Sequence, residues 1–248
     1  MNLNVIGTLQ TLPKGQLFDK VAFREAVRSL NPNCTENTIN WMLYFLRKKG
    51  MLASAGAGKY YVVPSEVTRK REYRYPNSEE YKEIEEAIAD AFPYMKFQMW
   101  ELIQLNDFVN HQIAKNVIFI EVESMLEDTV FEMLHIRYPY AMIQPDKNYF
   151  FKQRSPGTDI VVQRLLTEAP SPTNGHASPM EKILVDLFSN KLTGNLIEKS
   201  EYPRIVEDVF RKYRIDETRM FRYARRRNLY NALVSFIQTQ TNVELITI

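Results

Sequence analysis

Asn37, Asn40, Trp41 and Tyr44 recur at a spacing that a helix turns to one side. An asparagine amide donates and accepts at once, which suits the adenine edge exposed in a DNA major groove. The two rings have two readings: contact with thymine methyls or sugars, or packing beneath a neighbouring segment, the commoner fate of large aromatics. Arg47, Lys48 and Lys49 end the same stretch and suit phosphates, as do Lys59 just beyond it and Arg24 and Arg28 before it.

A second set of candidates is the arginine run Arg219, Arg222, Arg225, Arg226 and Arg227, with Arg219, Arg222 and Arg226 on one helical face. The plainer reading is a solvated helix face. The preference for arginine over lysine suits bidentate recognition of carboxylate or phosphate, on a partner or on flanking DNA. Glu121 and Glu123, two apart in a β-prone run, share a strand face and could hold a metal in a diverged nuclease. The usual lysine two places beyond the second acid is missing, so hydrogen bonding or an acidic surface is the expectation for both. His111, His135 and His176 stand without a nucleophile or carboxylate at motif spacing. Neither GxxxxGK[ST] nor GxGxxG occurs. The expectation is a protein without catalytic residues, metal or cofactor, with nuclease or protein-interaction adaptor as the alternatives.

The elements that must position the first set are legible. Thr35 can cap a helix and Gly50 can end it, with Ile39, Met42, Leu43 and Leu46 facing inward. Two β-prone runs, 51–53 and 59–63, flank Gly56 and Gly58, which permit a tight turn. Before them, a helix over 1–12 carries Leu3, Ile6 and Leu9. Another, capped by Asp19 and ending near Leu30, turns Val21, Phe23, Ala26, Val27 and Leu30 inward. Three helices, a short turn before the third and a hairpin predict a winged helix-turn-helix.

The charge is distributed to match. Net charge is +2, but residues 1–74 hold twelve Lys/Arg against five Asp/Glu, and residues 75–191 hold ten against eighteen. A basic head on an acidic body fits a polyanion-binding module joined to a different domain. The single cysteine, Cys34, excludes an intramolecular disulfide and fits a reducing compartment. No signal peptide and no apolar run long enough for a membrane span is evident, so a soluble cytoplasmic protein is expected.

The predicted organisation is α+β in two domains: residues 1–64 a winged helix, 65–80 a basic linker with Arg69, Lys70, Arg71 and Arg74, and 81–248 a mixed α/β domain with a helical part over 179–239. Within the last, a helix over 80–91 turns Tyr81, Ile84 and Ile88 inward, and 96–103 alternates as a strand. Residues 116–122 are the strongest strand signal and read as central. Ser124 can cap the next helix, 142–143 and 159–165 read as strands, four helices follow from Pro179, and 243–248 could close the sheet.

EEYKEIEEAIADAFPYMKFQMWELIQLNDFVNHQ, NVIFIEVESMLEDTVFEML, LLTEAP, PMEKILVDLFSNK and RMFRYARRRN, following the predicted winged helix in that order, resemble AbiEi-type antitoxins of bacterial abortive-infection systems. Glu181, Lys182, Leu184, Val185 and Asp186 match an E-K-x-L-V-D motif, and Tyr223–Arg227 a closing Y-A-x-R-R segment. The resemblance implies a non-enzymatic DNA-binding autorepressor. Its partners would be operator duplex DNA and a nucleotidyltransferase-like toxin that the C-terminal domain counteracts.

Overall fold

The computed structural model describes residues 4–65, 67, 70–145, 157–189 and 196–247; Leu3, Arg69, Lys191 and Ile248 lie outside these. It is a mixed α and β fold with a three-stranded and a four-stranded sheet. Two compact units emerge: the first is 1–72 with 212–218 and 244–248, the second 73–211 with 219–243. The first unit thus takes in late segments of the chain as well as the head. Among the described residues no helix is long and apolar enough to cross a membrane.

The first unit begins with α1 (Val5–Thr11), β1 (Phe18–Asp19), α2 (Lys20–Leu30), α3 (Glu36–Lys48), β2 (Leu52–Gly56) and β3 (Lys59–Val62). The caps form as expected. The Asp19 carboxylate accepts from the Val21 and Ala22 amides, both at 3.0 Å, and Thr35 Oγ1 accepts from Thr38. At the far end of α3, the Gly50 amide donates to Arg47 at 3.0 Å and the Met51 amide to Leu46 at 2.9 Å. That paired closure requires a left-handed residue, and Gly50 has φ +69°. Phe23, Val27, Ile39, Met42, Leu43 and Leu46 enter one core with Phe18 and Leu52. Val21 and Leu30, predicted to face inward, are exposed; the buried stripe of α2 is narrower than its apolar pattern. Strand β1, too short for a periodic signal, pairs with β3 to give the order β1-β3-β2. Residues 71 and 72 of the predicted linker are engaged within this unit. The Arg71 carbonyl accepts from the Arg214 amide at 3.0 Å, and Glu72 pairs with the Arg214 guanidinium at 2.6 Å.

The expected closing strand over 243–248 is absent among its described residues. The stretch is instead held by the buried Glu217 carboxylate, which accepts from the Ile246 and Thr247 amides and the Thr247 hydroxyl at 2.8–3.0 Å. One distant carboxylate replaces a ladder here.

The second unit contains α4 (Glu79–Ala91), β4 (Phe97–Glu101), a 3₁₀ turn (Leu102–Asp107), β5 (Val117–Val122), α5 (Glu127–Arg137), β6 (Ala141–Ile143) and β7 (Asp159–Arg164). Then come α6 (Met180–Ser189), a 3₁₀ turn (Lys199–Glu201), α7 (Tyr202–Lys212), α8 (Glu217–Arg226) and α9 (Tyr230–Gln240), of which Lys212, Glu217 and Thr218 count to the first unit. The sheet order is β4-β5-β7-β6, antiparallel between β4 and β5 and parallel elsewhere. Strand β5 lies inside the sheet and is buried along its whole length, as its continuous β-formers predicted. Ile118, Ile120 and Val122 face Tyr81, Ile84 and Ile88 of α4 and Val130 and Leu134 of α5. Val117, Phe119 and Glu121 point to the opposite face. Ser124 does not cap α5. The chain turns through Met125 at φ +76°, and the helix starts two residues later than predicted, behind Leu126 without a side-chain cap. The cap of α4 is doubled: Ser78 Oγ accepts from the Tyr81 amide and donates to the buried Glu101, which also takes the Asn116 amide at 2.7 Å.

Candidate functional site

Two constellations stand out, one on the surface of the first unit and one inside the second. The surface one is the outer face of α3. Because Ile39, Met42, Leu43 and Leu46 are drawn into the core, the helix must turn Asn37, Asn40, Trp41 and Tyr44 outward, and all four are exposed. Trp41 is 51 % and Tyr44 60 % exposed, so neither ring packs under a neighbouring segment. Trp41 is steadied by Phe45, whose ring stacks on it at 5.2 Å and 16°.

The basic residues around this face have partners. Glu36, the first residue of α3, pairs with Arg24 at 2.8 Å and Arg28 at 2.9 Å, tying both α2 arginines to the start of α3. The Arg47 guanidinium lies 6.0 Å from the Tyr60 ring, and Lys59 pairs with Asp19 at 3.4 Å. That lysine and the amides capped by Asp19, foremost Ala22, hold the Asp19 carboxyl below its usual range. Lys48 is exposed. The structure thus gathers Asn37, Asn40, Trp41, Tyr44, Arg47 and Lys48 on one helix, with Arg24 and Arg28 joined to it through Glu36 and Lys59 on the hairpin.

The arginines of α8 and Arg227, the residue just after it, divide. Arg219 donates to the Ser171 carbonyl, Arg222 pairs with Glu168 at 2.8 Å, and Arg226 donates to Thr167 Oγ1 at 2.5 Å. Arg225 stacks over the Tyr230 ring at 3.9 Å. These four bind the chain's own loop and helix. Arg227 departs from the expectation of a surface contact, because its guanidinium turns into the core and meets Asp186 and Ser189.

That contact belongs to the second constellation. Helix α6 is buried on every side, its charged residues included. The Lys182 ammonium lies between the carboxylates of Glu121 on β5 and Asp186, the latter at 2.6 Å. Asp186 also accepts from the Tyr223 hydroxyl at 2.9 Å and from Arg227. Two acids thus face two cations, and the Tyr223 hydroxyl donates into them. Burial alone would push the Lys182 ammonium down; Asp186 and Glu121 outweigh it and hold the lysine above its ordinary range. Burial pushes the Glu121 carboxyl up, against the pull of Lys182 and with Asp186 adding to it. The Tyr223 phenol is raised by burial first, then by the two carboxylates.

The motif residues Lys182 and Asp186 therefore pair with each other, four apart on one helix, as that spacing allows. Glu121, the candidate metal ligand, is 1 % exposed and bonded to Lys182, whereas Glu123 lies just past the strand end and is half-buried. Among the described residues no group of three or more His, Cys, Asp or Glu side chains is arranged to hold a metal ion. The joining of Glu121 to the pair of Lys182 and Asp186 could not be read from the sequence, because Glu121 is 61 residues from Lys182. Of the histidines, His176 stacks on Phe97 at 3.7 Å and His111 pairs with Glu201 at 3.2 Å.

Comparison with known proteins places the buried network and all but the start of α3 within one family. No curated protein and no solved structure matches the chain. The profile of DUF6577, a family of unknown function, matches residues 38–243, from the first turns of α3 through the whole buried network. A match over that share of its length means that the chain belongs to the DUF6577 family.

Proposed function

We propose that this protein is a duplex-DNA-binding transcriptional autorepressor and antitoxin, acting without catalysis on its operator and on a nucleotidyltransferase-like toxin. One observation carries the DNA half: an uncapped stripe of amide and aromatic side chains on the third helix of a three-helix unit with a small antiparallel sheet. On this reading the first unit is a winged helix-turn-helix. Helix α3 enters the major groove, Asn37 and Asn40 meet base edges, and Arg47, Lys48 and Lys59 meet phosphates. Glu36 holds Arg24 and Arg28 beside the groove-facing helix, where a phosphate can take over one of its hydrogen bonds. The antitoxin half rests on the resemblance of the second unit's segments.

Fluorescence anisotropy with DNA from upstream of the gene tests the first half. Lys48→Ala is expected to weaken binding to all sequences and lower the salt slope by about one, while Asn40→Ala relaxes specificity. Unchanged affinity in both variants overturns the assignment of α3. Co-expression with a nucleotidyltransferase-like product of the neighbouring reading frame tests the second half; toxicity undiminished by this chain overturns it.

One observation favours a nuclease as the second reading: Lys182 of helix α6 supplies the lysine that the sequence lacks beside Glu121 on β5. DNA cleavage with Mg²⁺ or Mn²⁺ that is lost in a folded Glu121→Gln variant would establish it in place of the first.

A further inference from the structure

We infer that α3 reads A·T base pairs of B-form DNA, with Asn37 and Asn40 on adenine edges and Trp41 and Tyr44 on thymine methyls. The inference rests on the DNA reading above and adds the identity of the bases. The four base types present different major-groove chemistry: guanine suits Arg or Lys, cytosine suits Asp or Glu, adenine suits Asn or Gln, and the thymine methyl suits an apolar surface. From Asn37 to Tyr44 the outward face of α3 carries only the last two kinds, and the basic residues Arg47 and Lys48 come at its far end, where the DNA reading gives them phosphates. Residues 37–46 contain no charged side chain at all. The nearest carboxylate, Glu36, is held by Arg24 and Arg28 and so is not offered to a cytosine. The Arg24 and Arg28 guanidiniums are engaged by that same carboxylate, and the Arg47 guanidinium lies 6.0 Å from the Tyr60 ring of β3.

The arrangement of the four side chains fits as well. Asn37 and Trp41 are four apart, as are Asn40 and Tyr44, so each amide has a ring beside it on the helix surface. An adenine edge and the methyl of its own or a neighbouring thymine lie at comparable separations in the groove. Trp41 is 51 % exposed yet braced by Phe45, so its ring is presented with little rotamer freedom left to lose. The methyl contact also selects the polymer. Uracil lacks that group, and the deep, narrow major groove of an RNA duplex does not admit a helix.

Anisotropy titrations of the full chain against labelled duplexes of equal length test this: one with an A·T core, one with a G·C core, one with the A·T core carrying deoxyuridine for thymine, and one of RNA. The expected result is about tenfold or greater preference for the A·T core over the G·C core. Deoxyuridine is expected to weaken binding by about fourfold for each methyl contacted. Trp41→Ala and Tyr44→Ala should each shrink the thymine–deoxyuridine difference, and Asn40→Ala the preference for the A·T core. Both rings lie on the surface, so these variants keep the fold, which circular dichroism verifies. Equal affinity for the A·T and G·C cores overturns the inference and leaves the DNA reading standing. So does a deoxyuridine penalty undiminished in both ring variants, or equal affinity for the RNA duplex. Failure to bind any DNA duplex at low salt overturns the two together.

Discussion

Lys182 has no contact with solvent, and its ammonium has carboxylates on two sides. Such an arrangement is poor at stabilising a fold, since desolvating four charged groups cancels much of their attraction, but it is costly to break. Lys182→Met removes one cation and leaves Glu121 and Asp186 buried with Arg227 alone. The expected loss is about 3–5 kcal/mol in urea unfolding, partly restored when Glu121→Gln removes the orphaned charge. A loss below about 1 kcal/mol would show that the cluster is hydrated and its charges screened. Half of this network was legible in the sequence. The i,i+4 pair of Lys182 and Asp186 stands in plain view, and its burial does not, because an E-K-x-L-V-D segment has the composition of a half-exposed helix. What buries it is the sheet on one side and α8 on another, both distant in the chain. The face of α3 was legible for the opposite reason. Its inward residues sit on a clean helical stripe, so the outward ones follow by geometry.

At the level of elements, capping residues announced the helices of the first unit with little error. Asp19, Thr35 and Gly50 each do locally what their side chains or backbone freedom allow, and no distant contact is needed. Where the chain uses a distant or irregular solution, the local signal misleads. Ser124 looked like a cap, but the left-handed turn at Met125 postpones α5 to Glu127. The segment after Val243 looked like a strand, but Glu217 gathers its amides first. Gly50 offers a test at this scale. A Cβ there would be forced to φ +69° and would lie 2.8 Å from Arg214 Nη1, the end of a flexible side chain. Gly50→Ala is expected to cost about 1–2 kcal/mol of unfolding free energy for the left-handed backbone, plus the displacement of Arg214 from Glu72. Gly58→Ala, at φ +72° in open space, should show the backbone part alone. Equal losses in the two variants would mean that Arg214 yields without consequence.

Among the described residues, several buried donors hold their protons above the ordinary range. Burial, reinforced by nearby carboxylates, raises the phenols of Tyr61, Tyr81, Tyr202 and Tyr223 above their ordinary 10.0. Asp186 and Glu121 raise Lys182 above 10.5. In each case the unfolded chain gives up its proton at a lower pH than the folded one. Stability contributed by these groups is therefore intact below about pH 10 and is lost as pH climbs through their folded values. Urea unfolding at intervals from about pH 8 to pH 11 is expected to give a flat region and then a decline beginning near pH 10, each group adding up to about 1.4 kcal/mol per pH unit. Tyr223→Phe should make the decline shallower; an unchanged slope would mean that this phenol ionises freely in the folded protein. The charge asymmetry on which the DNA reading draws was visible in the sequence. The return of residues 212–218 and 244–248 to the first unit was not, because nothing local distinguishes a returning segment from one that continues its own domain.

The short stretch from His176 to Ser178 settles a problem common to every open sheet. Strand β4 has a flank that would otherwise carry unpaired amides and carbonyls, a template on which a foreign strand could grow. The Met99 amide donates to His176 and the Met99 carbonyl accepts from Ser178, at 2.8 and 2.7 Å, while the His176 ring stacked on Phe97 keeps the stretch in place. Two hydrogen bonds and one stacked ring thus stand in for a fifth strand. On this flank the protein guards itself against self-templated aggregation without lengthening its sheet.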